Sequence, residues 1–85
     1  VSIREVKETI ANNHEAVDEI VTALETGKEK LTEMLEAITT VTEQSESAKL
    51  EEAIGGLTRS VELVDEVVTT IKTAQENVEE YSSLL

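Results

Sequence analysis

From Val17 to Val41 the apolar residues Val17, Ile20, Leu24, Leu31, Met34, Ile38 and Val41 step by three and four. At 3.6 residues per turn this interval gathers side chains into one stripe, the signature of a helix packed lengthwise on another helix. Carried back, the stripe takes in Ile10, Val6 and Ile3, with Asn13 and Gly27 as its interruptions. The same stepping returns at Leu50, Ile54, Leu57, Val61, Val64, Val68 and Ile71, and runs on through Gln75, Val78, Ser82 and Leu85. Between the two stripes the pattern lapses over the polar run Thr42-Glu43-Gln44-Ser45-Glu46-Ser47, which reads as a turn.

A short turn makes consecutive helices antiparallel neighbours. The expected fold is therefore all-α, a helical hairpin in a single 1–85 domain, with helix 1 over about 3–42, a turn over about 43–46 and helix 2 over about 47–83. Ser2 and Glu5 have the spacing of a capping box at the start of helix 1, and Ser45 or Ser47 supplies the cap of helix 2. Gly55-Gly56 is the rival break, but the apolar register runs through it unbroken, so both glycines are expected to be helical. A turn centred on Gln44 pairs Leu31 with Leu57, Leu24 with Val64 and Ile10 with Val78. It also sets Asn13 against Gln75 as a polar layer, and Gly27 against Val61 as a point of close approach.

The charge balance narrows the partners. Seven Lys and Arg against nineteen Asp and Glu leave a net charge of −12, which repels phosphate backbones and anionic lipid heads. Nucleic acid and membrane insertion are accordingly not expected, and no run of apolar residues reaches the length of a membrane span. The amino end lacks the layout of a cleavable signal peptide, so the expected location is cytoplasmic or exported by a signal-peptide-independent route. There is no cysteine, and Tyr81 is the single aromatic residue, which leaves no material for a thiol site or an aromatic-lined ligand pocket.

Catalytic chemistry finds little to work with. His14, Glu15 and Asp18 are metal-ligand types, but two ligands one turn apart do not close a site, and the ordinary reading is a solvated flank. Glu76, Glu79 and Glu80 near Tyr81 read as a charged helix face. Glu25 with Lys28, Lys30 with Glu33 and Lys72 with Glu76 are spaced for pairing within a helix. No phosphate loop, Ser-His-Asp set or carboxylate pair is present, so the expectation is a non-enzymatic protein with no metal or other cofactor. The informative surplus flanks the stripes: Ala16, Val21, Ala23, Leu35 and Ala37 on helix 1, and Ala53, Val67, Ala74 and Tyr81 on helix 2. These are the expected interface residues, through which the hairpin pairs with itself as a four-helix bundle or with another helical protein.

Two long amphipathic helices joined by a turn, an acidic balance and the absence of cysteine resemble the small helical hairpins of the WXG100 (ESAT-6-like) superfamily. Tyr81 stands where that family's carboxyl-terminal Tyr-x-x-x-Asp/Glu signal begins, with Leu85 at the acidic position, and the turn carries no Trp-x-Gly. Glu79-Glu80-Tyr81 also resembles the endings of Trp-less hairpins from actinobacteria. The resemblance implies a small bacterial partner or chaperone of a larger protein, linked to type VII-like secretion. The alternative from a different class is a structural coiled-coil segment of a larger assembly, such as a chemoreceptor-type signalling rod or a phage structural protein.

Overall fold

The computed structural model describes residues 1–85 as two helices, α1 (Ile3–Thr42) and α2 (Ala48–Ser83), packed against each other in a hairpin measuring 63 × 16 × 16 Å. Each helix starts where a serine meets an orphaned amide. Ser2 caps α1, its Oγ accepting from the Glu5 N–H at 3.1 Å, and Ser47 caps α2, accepting from the Leu50 N–H at 3.4 Å. Between the helices, the Ser45 N–H donates to the Thr42 carbonyl at 2.8 Å, and the Thr42 hydroxyl donates back to the Ile38 carbonyl. Gly55 and Gly56 lie inside α2 with ordinary helical dihedrals, as no residue has a positive φ.

On a seven-residue repeat with Val21 and Val61 at position a, and apart from the half-buried Val6, Gly27 and Ser60 at g and Thr32 at e, the covered residues of both helices occupy a and d. In α2 these are Leu50, Ile54, Leu57, Val61, Val64, Val68, Ile71, Gln75 and Ser82, the stripe expected from its sequence. α1 differs. Its d column is as expected, with Ile10, Val17, Leu24, Leu31 and Ile38 half-buried, but its second inward column is His14, Val21, Lys28, Leu35 and Thr42. The column expected there, Ile20, Met34 and Val41 with Asn13 and Gly27, sits one position back at g. Ile20 is 50% exposed and Met34 44% exposed, while Val21, at 9%, is the one buried residue in the chain.

This rotation is accompanied by contacts that apolar spacing does not register. Turning a rather than g inward carries His14 and Lys28 to the e column of α2. His14 Nε2 lies 2.6 Å from Glu79 Oε1, and Lys28 Nζ lies 2.7 Å from Asp65 Oδ1. A third bridge joins Lys72 Nζ to Glu25 Oε1 at 3.7 Å. Lys28 and Lys72 therefore bridge between helices rather than within one, and His14 is a cross-helix partner rather than a solvated flank. The first two pairs are fourteen residues apart on each helix, so one antiparallel register holds along the rod without slippage. Ile10 and Val78 line one cleft with Val17 and Ile71 in that register.

Two expectations about the contact fail. Asn13 is exposed at g, and no hydrogen bond joins it to Gln75, whose Nε2 is buried without a partner. Such an orphaned amide costs about 1–3 kcal/mol, which the surrounding contact must offset. Gly27 does not mark a close approach between α1 and α2, since a Cβ there would meet nothing within 4 Å.

Candidate interaction surface

The a and d columns face the partner helix, so g and c lie about 90° and 130° to one side of that direction, with e and b on the other side and f at the back. Antiparallel helices run in opposite senses when viewed down the rod. The g and c columns of α1 and α2 consequently share one side of the hairpin, and the e and b columns share the other. Val6, Asn13 and Tyr81, all at g, line one shallow groove on the first side together with Thr9 at c and, from the back, Glu5 at f. Glu25, Lys28, Glu29 and Asp65 line another on the second.

These sides differ in chemistry. Of the nineteen acidic residues, Glu43 and Glu46 belong to the turn, and the remaining seventeen all fall at b, e or f. Not one lies at g or c on either helix. Within the helices the exposed large apolar side chains are distributed the opposite way: Ile20, Met34, Val41, Val67 and Tyr81 are at g and Leu63 is at c, with Ile3 and Val78 at d near the open end, while Val1, Leu84 and Leu85 lie outside the two helices. Lys30 and Lys49, both at c, are the only charged residues of the acid-free side. The cross-helix ion pairs stitch the acidic side; the apolar side has no partner within the chain.

Most of the interface residues expected from sequence lie on this surface. Ala16, Ala23 and Ala37 are exposed at c, and Val67, Ala74 and Tyr81 are exposed at g. Val21 and Leu35 do not belong to it, because both are at a and are taken up by the contact between α1 and α2. Ile20, Met34 and Val41, expected inside the hairpin, take their place, and Leu63 joins them. The missed signal was the distribution of charge: columns without a single carboxylate are visible in the sequence once acids are placed on the repeat alongside apolar residues.

No three His, Asp or Glu side chains converge in a way that could hold a metal ion. Arg59 lies between Glu62 and Glu66 on α2, at 3.2 and 3.4 Å, and the hydrogen bond to Glu62 foremost holds its pKa above the usual arginine value. Neither helix is long and apolar enough to cross a membrane. What this geometry offers is a row of exposed apolar side chains spread along one side of the hairpin, with carboxylates on the other side and the back.

No family model, curated protein or solved structure matches the chain. The functional reading therefore rests on the two-sided surface itself.

Confining seventeen carboxylates to one side and the back of the rod has a measurable effect. Raising sodium chloride from about 0.01 M to about 0.15 M shortens the screening length from about 30 Å to about 8 Å. The melting temperature is expected to rise by several degrees, because screening relieves many like-charge repulsions and weakens only a few exposed pairs, each worth about 0–1 kcal/mol. A melting temperature that falls with salt, followed by circular dichroism, would show that the cross-helix pairs dominate instead.

Proposed function

We propose that this chain is a non-enzymatic docking module that works by helix-on-helix packing through its acid-free side, pairing with itself or serving as the small partner or chaperone of a larger helical protein. The supporting observation is the joint segregation of charge and apolarity. Every helical carboxylate is withheld from the side that exposes Ile20, Met34, Val41, Leu63, Val67 and Tyr81. Apart from Val41, each of these side chains is already about half covered by its own hairpin, so covering the remainder is worth on the order of 1 kcal/mol apiece, which still favours association.

The test is a comparison of the two sides. Ile20→Glu combined with Val67→Glu places carboxylates in the exposed apolar row, and Glu29→Gln combined with Glu62→Gln alters the acidic side by as many charges. With helix content checked by circular dichroism, the first variant is expected to lose association with any helical protein captured by the parent chain, and the second to keep it. Loss in the second with retention in the first would assign docking to the acidic side and sink the proposal.

A finer reading connects the hairpin to WXG100-type partners and signal-peptide-independent export. It is supported by the two-helix architecture and by Tyr81, which stands 52% exposed near the end of α2. Recovery of an export-machinery component in the same capture experiment, dependent on the acid-free side, separates this role from that of a structural segment in a signalling rod or phage assembly.

A further inference from the structure

We infer that the hairpin opens from its free end: α1 as far as Val17 and α2 from Gln75 onward part as one unit, while the half next to the turn stays packed. The contact between the helices is unequal along its length. Because e follows d on the repeat, the pairs His14–Glu79 and Lys28–Asp65 set His14 level with Val78 and Lys28 level with Val64. In that register Val17 lies level with Gln75, and Ile10 with Ser82, so each of these free-end layers carries a polar member. Toward the turn, Leu24 lies level with Val68, Leu31 with Val61, Leu35 with Leu57 and Ile38 with Ile54, all of them aliphatic.

Polar members of the turn half have partners. Lys28 sends its ammonium out to Asp65 at 2.7 Å, and the Thr42 hydroxyl donates to the Ile38 carbonyl. At the free end Gln75 Nε2 is buried without one, and Gln75 borders a cleft of about 230 Å³ that Ile10, Val17, Ile71 and Val78 line without filling. Closure of that layer gains neither a hydrogen bond for the amide nor full dispersion contact for its neighbours. The layer next to it, Val21 with Ile71, holds the one buried residue of the chain and marks the boundary. Beyond it toward the free end the single cross-helix ion pair is His14 with Glu79, whose side chains are 32% and 58% exposed, and exposed pairs contribute little. Val78 and Ile3, although inward at d, are 41% and 57% exposed.

Asn13 and Ala74, both at g, edge the cleft, so parting the helices here adds Ile10, Val17 and Val78 to the acid-free side. That enlargement of the docking surface rests on the docking role proposed above, whereas the opening rests on packing within one chain.

Native-state amide hydrogen exchange, followed residue by residue by nuclear magnetic resonance at low chain concentration, tests the inference. Amides of residues 10–17 and 75–80 are expected to exchange at least about tenfold faster than those of 28–35 and 57–64, with one opening factor shared by both helices. Gln75→Leu replaces the orphaned amide by an aliphatic side chain and is expected to slow exchange at the free end of both helices by about tenfold. Ile54→Val, a mild truncation in the turn half, is expected to speed exchange there by about threefold or more and to leave the free end unchanged, because opening the free end does not break the layer of Ile38 and Ile54. Equal protection along both helices, lowered throughout by Ile54→Val, overturns the inference by showing that the hairpin opens only as a whole. Protection that tapers residue by residue toward both ends alike, or that Gln75→Leu leaves unchanged at the free end, overturns it by reducing the opening to ordinary fraying. The docking role is judged separately, by the capture experiment.

Discussion

Val21→Asp is expected to unfold the hairpin, whereas Ile20→Asp, one residue away, is expected to leave it standing. Val21 is 9% exposed inside the contact between α1 and α2, and Ile20 is 50% exposed on the acid-free side. An aspartate at 21 forfeits about 1.5–3 kcal/mol of burial and adds the cost of taking a carboxylate out of water, so a total of about 4 kcal/mol or more is expected. That is comparable to the whole stability of a small domain, about 5–15 kcal/mol. At position 20 the aspartate stays solvated, and the cost to the hairpin is expected to be about 1 kcal/mol or less. Thermal melts followed by far-ultraviolet circular dichroism distinguish the two variants. If the aspartate at 20 proves the more damaging, α1 turns its g column inward and the acid-free side described here does not exist.

The largest expected gain comes from removing the three glycines together as Gly27→Ala, Gly55→Ala and Gly56→Ala. All three lie in helix interiors without positive φ, and an added Cβ meets nothing within 4 Å at any of them. Alanine is favoured over glycine by about 0.8–1.0 kcal/mol per helical position, so the three changes are worth about 2–3 kcal/mol if they add. For a domain of this size about 4–8 °C accompanies each kcal/mol, which places the melting temperature about 10–20 °C higher. Urea unfolding at low chain concentration measures the same gain for the hairpin with association minimised. An unchanged or lowered midpoint for Gly55→Ala and Gly56→Ala would mean that α2 is broken at that pair.

Much of this architecture is local and was therefore open to reading from the chain. Serines at 2 and 47 stop the frayed ends of the helices by accepting an amide three residues on, and that relation depends on nothing distant. The turn lies where the three-four pattern gives out, with α1 ending at Thr42 and α2 beginning at Ala48. The fate of Asn13 and Gln75 was less accessible. Pairing them assumed that g faces inward on α1, and with a inward Asn13 goes to solvent while Gln75 Nε2 is left without a partner.

By itself the sequence determined that there are two helices, where each begins and ends, and which stripe α2 presents. That stripe, a and d from Leu50 to Ile71, is uniformly aliphatic and admits one inward direction. The sequence also contains the whole partition of charge, since the positions of seventeen carboxylates on a repeat need no coordinates to count. Only the tertiary structure decided how α1 is turned. Its apolar surface is three columns wide, with Val21 and Leu35 on one side of d and Ile20, Met34 and Val41 on the other, and apolar spacing supports either choice. With a inward, His14 meets Glu79 and Lys28 meets Asp65 across the contact. Such pairs join residues 65 and 37 positions apart in the chain, beyond the reach of any local pattern, and the rotation they accompany sets which residues of α1 are left facing outward.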